Sequence, residues 1–588
     1  MMVAEGPSGS QAISRLPTAV TAFVGRTLRG PVDRPVALRG FGEFQQVFGG
    51  LWQPSPLSYA VEQFFENGGR RAVVVRVING AAPSTLTLPC GGEALMLRAL
   101  SPGSREALRA SVDYDNIGTN EPECFNLVVQ RVRALGSEHI EDQEIFRRLS
   151  VNPATSRFIT TALQDSTLVR VQGEVPALRP DRTFRAGSRH PIGYVESNPD
   201  GDDGAPLTDY DLIGSPERRT GLFALAGTEG LHFLCIPPPS RDRDLGPSVL
   251  VVAEQFCRER QAMLIVDPPA EWTTCEEALH GLRELAFQSD HALMCFPRIL
   301  AYDRLRGHYE PFANCGAVAG ALARMDQQRP LWKAHLDDEL LLRPGTRPAR
   351  VLTEGERIRL SAHGVNALQS LRAARPQTLP LKTLAGGAGG SAESSLLTRQ
   401  RRVLLVMQSI ERGTRWVVFE AHDRGVGRKV TRQVQAFLQP LVNAGLFGGE
   451  VGEEPCYVIC DERINSADDL LQGKVNLLVG IHSGRAGEYQ SFMVTHSAEG
   501  SRVRPVRSRW LPEGTRLSVP KEETPRQASD ATEPQRTLAQ QLFERHREPR
   551  LQSATPVGGR TETASAGRRD LDLVADLHTD FGRGDQPL

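Results

Sequence analysis

Asp267 is the side chain in this sequence best placed to do chemistry. It follows the apolar run AMLIV and so stands at the carboxyl end of an expected strand, where α/β enzymes hold catalytic groups. Pro268 and Pro269 come next, and neither a Ser or Cys on a nucleophile elbow nor a histidine placed by motif accompanies it. The competing reading is an Asp that ends a strand and caps the following turn. DYDNIG, from Asp113 to Gly118, opens like a calcium loop. Its fifth position, however, is Ile117, and Cys124 stands where the bidentate Glu belongs. The glycine runs near Gly386 and Gly425 lack a preceding strand and a following helix in phosphate-cradling register, and no Walker lysine follows them. Cys456 and Cys460 share an expected strand without the further ligands a structural zinc needs, and His291, His335 and His363 stand singly. The sequence therefore predicts no catalytic residue, no metal and no cofactor.

The elements that would position such groups read as α/β. AVTAFVG (Ala19 to Gly25) has strand composition, and Leu57, Ala60, Val61, Phe64 and Phe65 fall on one helix face. Gly68 and Gly69 stop that helix, and RAVVVRVI (Arg71 to Ile78) suits a strand buried on both faces, which makes a βαβ unit. From residue 81 to 206 short alternating runs such as FNLVVQRV and STLVRVQG predict an inserted, strand-rich domain, closed by the turn-rich SNPDGDDGAP. From 207 to 383 strands and helices alternate through LHFLCIPPP, PSVLVVAEQFCRER, AMLIVDPP, a helix near Cys275 to Phe287 and HALMCFPRI, as in a parallel sheet with right-handed crossovers. LAGGAGGSAESS begins a linker over 384–400. A second block, 401–510, predicts the helix RRVLLVMQSIERG, a strand RWVVFEAHD, a helix with Val430, Val434, Phe437, Leu438, Leu441 and Val442 on one face, and the strand CYVICD. GKVNLLVGI and YQSFMVTH follow as two closing strands. Residues 511–588 are too polar to fold alone and are expected to be disordered or to order on a partner.

With 588 residues, 40% apolar and 24% charged, the chain is ordinary globular material for several domains. No window supplies the ~18 apolar residues of a membrane span. Met1 to Leu16 has neither a basic start nor an apolar stretch, so a cytoplasmic protein without secretory signal is expected. Nine singly placed cysteines read as reduced core residues. A net charge of -1 argues against a nucleic-acid partner. Arginine dominates the 69 basic residues; that suits bidentate protein interfaces, and a GC-rich genome gives the same bias.

Several segments, in order along the chain, resemble the tail sheath family of contractile phage tails and phage-tail-like injection systems. They are PSGSQAISRLPTAVTAFVGRTLRGPVDRPVAL, FGEFQQVFGG, SYAVEQFFENGGRRAVVVRVI, CGAVAGALARMDQQRPLWKA (Cys315 to Ala334), SAHGVNAL, ERGTRWVVFEAHD and QAFLQPLVNAGLFGG. The match spans about residues 6 to 496 outside the inserted domain. It implies a subtilisin-like α/β centre without the protease triad (207–383), and a sheath domain built from an N-terminal part (19–80) and the C-terminal block. An N-terminal linker arm, 1–18, completes the plan. The implied function is structural: subunits polymerise around an inner tube and contract to drive it through a membrane. The implied partners are further copies of the chain, the inner tube protein, and baseplate and terminator or cap proteins, in a particle assembled in the cytoplasm and released by lysis. Arms at both chain ends would add strands to neighbouring sheets, a role carried onto Val3, Glu5 and Ile13 at the start and Leu477, Val479, Ile481, Phe492 and Val494 at the end. The alternatives are a baseplate or cap component of the same machine, and a hydrolase-like enzyme centred on Asp267. The sequence departs from the family in its short first arm, VAEGPSGS, in LPLKTLAGGAGG, and in its long polar tail.

Overall fold

In a computed structural model of the chain, the described residues are 12–14, 16–183, 193–333, 340–370, 378–387, 395–420, 424–447, 454–482 and 488–509. The expected tail, 511–588, Val3, Glu5 and His335 lie outside them. A seven-stranded sheet organises the centre. Its strands are β1 (Thr21–Gly25), β2 (Val36–Leu38), β3 (Ala72–Arg76), β4 (Phe233–Cys235), β5 (Met263–Val266), β6 (Ala292–Phe296) and β7 (Val365–Ala367). They lie in the order β7-β6-β5-β4-β1-β3-β2, parallel except for the edge strand β2. Sequence-distant halves therefore share one sheet, because β1 pairs with both β3 and β4.

Parallel strands need both faces covered, which is why these runs are continuously apolar. One face (Ala22, Val24, Leu234, Leu264, Met294) packs on α2 (Pro247–Glu259) and α3 (Cys275–Leu285). The other (Phe23, Val74, Phe233, Ile265, Leu293) packs on α1 (Pro56–Glu66) and α4 (Cys315–Gln328), and its cluster continues into α5 (Leu397–Gly413) and α6 (Arg424–Asn443). Ser55 caps α1, accepting from the Ser58 N–H, and Pro56 sits at its first turn. Leu57, Ala60, Val61 and Phe64 of α1 are buried, each large side chain contributing about 1.5–3 kcal/mol.

Asp267 is now explained. Its Oδ1 accepts the Asn314 and Cys315 N–H groups, both at 2.7 Å, where α4 begins. Burial pushes the carboxyl up. The residue ties the end of β5 to the N-terminus of a helix 47 residues on rather than to the turn that follows it, and its Oδ2 is buried without a hydrogen-bond partner.

Residues 83–196 hold two antiparallel sheets around their own core of Leu88, Leu97, Leu108, Phe125, Leu127 and Leu149. Pro83–Cys90, Glu93–Pro102 and Val169–Gln172 form the three-stranded one; Val195–Glu196, Ala107–Asp113, Cys124–Val132 and Ile140–Ser150 form the four-stranded one. Asp113 accepts from Asn126 Nδ2 at 2.6 Å, so the calcium-like loop spends this carboxylate on its own strand pair.

A hairpin of Ile299–Asp303 and His308–Phe312 projects beside α1. Buried Asp303 takes Arg241 at 2.6 Å and the Tyr59 hydroxyl at 3.1 Å, and Arg241 also pairs with Glu310. Its guanidinium lies 4.7 Å from the Tyr59 ring and 4.9 Å from that of Phe312. Arg241→Met should cost about 3 kcal/mol in urea unfolding, because it strands the buried Asp303 carboxylate, whereas Glu310 keeps Arg306 and His308. Adding Asp303→Asn should recover part of that loss; a double variant no better than the sum of the singles would show that the groups act independently.

Three expectations need correcting. RWVVFEAHD is not a strand: Arg415–Phe419 is a 3-10 turn joining α5 to α6. Arg415 is held back by Glu411 (2.7 Å) on the preceding turn, Trp416 Nε1 donates to Gln433, and Phe419 faces solvent, so no sheet edge is there to receive them. The glycines at 425 and 427 are followed by a helix after all, since they lie in α6. Gly427 is there because a Cβ would overlap the Cys460 carbonyl. Finally, YQSFMVTH does not end the sheet, because Gly500–Arg509 adds another strand.

Candidate assembly interface

The terminal sheet contains β8 (Cys456–Ile459), β9 (Val475–His482), β10 (Glu488–Ser497) and β11 (Gly500–Arg509), antiparallel and in that order. β9 is apolar on both faces. Leu477 faces Val494 and Val479 faces Phe492 across the β9–β10 pair. These four side chains and Ile481 are buried in the main core with Val430, Val434, Phe437 and Leu438 of α6. Leu478 and Met493 point the other way, into a small cluster with Ile464.

The carried-over C-terminal residues are thus brought together, with their side chains turned into the chain's own core. What the sheet can offer a neighbour is backbone. β8 and β11 are its outer strands, each paired on one side among the described residues. Ser497 and Gly500 close a two-residue hairpin, so from Ser501 alternate residues of β11 turn N–H and C=O away from β10. Pro505 falls on that outward set and has no N–H to present, which suits an edge strand.

The N-terminal arm approaches the same place. Ile13 is buried against Gly413 at the end of α5, where a Cβ would come within 2.7 Å of it. Leu16 packs on Leu331 and Leu405. A cleft of about 90 Å³ beside Leu16 is lined by that residue, Gln408, Arg412, Ser501 and Val503. Gln408 donates to the Leu231 and Gln261 carbonyls at 2.8 and 3.1 Å, while its buried Oε1 has no partner. The signal for it was visible, a Gln inside the apolar run VLLVMQSI.

His496 fastens α5 to this sheet. Its Nε2 lies 2.8 Å from Thr414 Oγ1 and its Nδ1 2.7 Å from Ser501 Oγ. Burial, with Arg415 nearby, lowers its pKa to about 4. The folded chain therefore keeps the ring neutral while an unfolded ring protonates near 6.5. That contribution is complete above pH 6.5 and lost as pH falls from 6.5 towards 4, up to about 3 kcal/mol. His496→Gln should flatten the acid side of the urea-stability profile in that window; an unchanged slope would remove His496 as the source.

Comparison with known proteins agrees with this architecture. No family model matches the chain. A protein described as a prophage major tail sheath protein, from Pseudomonas aeruginosa strain UCBPP-PA14, is 25% identical over 270 residues, 45% of this chain and 65% of that protein. The chain thus spans less than two thirds of that relative's length. The sheath tail protein of Listeria innocua superposes with a TM-score of 0.54 at 13% identity, covering 83% of this chain and 96% of that one. The chain has the fold of a tail sheath protein. The contracted helical sheath of the anti-feeding prophage is a looser likeness, TM-score 0.45 at 14% identity over 83% of this chain and 96% of that one. The resemblance to the tail sheath family read from the residues therefore holds, and the mixed α/β class with it. Among the described residues no helix is long and apolar enough to cross a membrane, and no group of three or more His, Cys, Asp or Glu is placed to hold a metal.

Proposed function

We propose that this chain is a structural sheath subunit, which polymerises around an inner tube and contracts to drive the tube through a target membrane. The observation that carries the reading is the cleft beside the terminal sheet, where the N-terminal arm, α5 and the outward backbone of Ser501 and Val503 meet. An extended arm entering it would find unpaired strand groups and the free Gln408 Oε1, and strand addition satisfies both. A head-to-tail contact that does not close on itself builds an open helical tube. Contraction is then a change between two packings that keep the same links.

In this reading residues 1–18 are the linker arm, 81–206 an insertion, 384–400 a linker whose end enters α5, and 511–588 a tail; 19–80 shares the seven-stranded sheet with 207–383, the subtilisin-like centre, and is joined by 401–510 as the sheath domain. Val3 and Glu5 extend the arm that Ile13 anchors, and β9 and β10 hold the receiving sheet rigid through Leu477, Val479, Ile481, Phe492 and Val494. A structural role without catalysis is part of this reading, and the use of Asp267 Oδ1 at the α4 N-terminus supports it. Its partners are copies of itself, the inner tube, and baseplate and terminator or cap proteins, within a phage-tail-like particle assembled in the cytoplasm and freed by lysis. Negative-stain electron microscopy of the purified protein tests this: hollow tubes of uniform diameter are expected, and uniformly monomeric particles at all concentrations would overturn it.

A further inference from the structure

The hairpin Ile299–Phe312 has two unlike faces. Inward, Asp303 and Glu310 are buried against Arg241 and Tyr59, which fixes the backbone. Outward, Tyr302, Leu305 and Tyr309 are each 50–54% exposed, although large apolar side chains are ordinarily covered. Tyr302 and Tyr309 face each other across the strands, their rings edge to face at 5.5 Å, and Arg347 of the adjoining strand stands 5.3 Å from the Tyr309 ring. The rim carries Arg304, Arg306, His308 and Arg347, all exposed: Arg304 pairs with Glu62 and Glu66, Arg306 and His308 pair with the inner Glu310, and Arg347 has no carboxylate partner among the described residues. Rigid tyrosines beside arginine are the composition of binding hot spots, and ordering them costs little because the base is already fixed.

Such a face fits an acidic segment with its own apolar stripe, and this sequence contains one. DLDLVADLHTDF, Asp570 to Phe581, carries Asp570, Asp572, Asp576 and Asp580, with Leu573, Leu577 and Phe581 spaced i, i+4 and i+8. Acidic groups would meet Arg347 and compete with Glu66 for the exposed Arg304, as the stripe covers the tyrosines. We propose that the outer face of this hairpin is a docking surface for the segment Asp570–Phe581 of a second copy of this chain. The contact would be a second link between subunits, independent of strand addition at the terminal sheet. It rests on the reading that copies of the chain meet.

A fluorescent peptide of residues 568–583, titrated into the full-length chain carrying Leu573→Asp, Leu577→Asp and Phe581→Asp so that its own copy of the segment is disabled, reads the contact by polarisation. Saturable binding is expected, at least tenfold weaker when Tyr302→Ala and Tyr309→Ala are added, and weaker in 0.5 M salt. Binding that ignores the tyrosine substitutions, or a peptide that does not bind, overturns the assignment. A peptide captured equally well when its four aspartates are asparagines does so too. Circular dichroism of the tyrosine double variant guards against unfolding: if it unfolds, Tyr302→Ser, which leaves the inward face untouched, takes its place under the same criterion. Electron microscopy of the same proteins separates the two readings, since tubes that form without peptide binding leave the sheath reading intact and remove only this link.

Discussion

Gly320→Val should be the most damaging single substitution in the central unit, costing about 3 kcal/mol or more in urea unfolding. Gly316 and Gly320 lie one turn apart on α4 and face the backbone of α1. A Cβ at 316 would overlap the Ala60 carbonyl and one at 320 the Phe64 carbonyl, with the Asn67 side chain 2.9 Å away. A carbonyl cannot swing aside as a flexible side chain does, so either α1 and α4 separate or the helix shifts along β4 and β5. Separation would open the core around Val61, Phe64, Val318 and Ala321, all of them buried. Gly316→Ala should be milder but still clearly destabilising. Gly355→Ala is the control, because that helical glycine has nothing within 4 Å of its would-be Cβ and the change should be neutral or stabilise by up to about 1 kcal/mol. A Gly320→Val midpoint equal to that of the parent would mean the two helices are not in backbone contact.

How much of this was legible depends on how local each signal is. α1, α2, α5 and α6 show in their apolar periodicity, and β1, β3, β4, β5 and β6 in short continuous apolar runs, because burial on one face or two leaves its mark on neighbouring positions. That α4 is helical is visible in CGAVAGALA, but which backbone its glycines meet is not, since α1 lies at 56–66. β11 is hidden because an edge strand needs little apolar surface: GSRVRPVRSR mixes arginines with a proline, and only Val503 and Val506 touch apolar clusters. The 3-10 turn at 415–419 was concealed for the opposite reason. RWVVF has every residue a strand prefers, yet its neighbours are the ends of two helices, and Phe419 is left in solvent. For the proposed interface, the apolar pattern marks these segments as strands and does not say which of their groups turn outward. Leu477, Val479, Ile481, Phe492 and Val494 look like strand side chains for a partner, but their register puts them under α6 and leaves backbone edges as the free functionality.

Removing the N-terminal arm should separate folding from assembly, and the position of Ile13 says how to do it cleanly. Deleting residues 1–14 takes away the arm and also the isoleucine seated on Gly413, so stability should fall by about 2 kcal/mol, the value of one large buried side chain. Deleting residues 1–11 removes the arm and leaves that anchor. If the arm links subunits, both truncated proteins should sediment as folded monomers and form no tubes, while only the longer deletion lowers the urea midpoint. The receiving side should behave in parallel. Val503→Pro takes a second outward N–H from β11 next to the cleft, beside the one already missing at Pro505, and should block tube formation without unfolding the sheet, because Val503 lies opposite Val494 on the outward-turning set. Each lesion acts on one partner of the same contact, so combining them should be no worse than either alone. Intact tubes from the chain lacking residues 1–11 would place the link between subunits elsewhere and leave the cleft beside Gln408 without its proposed occupant.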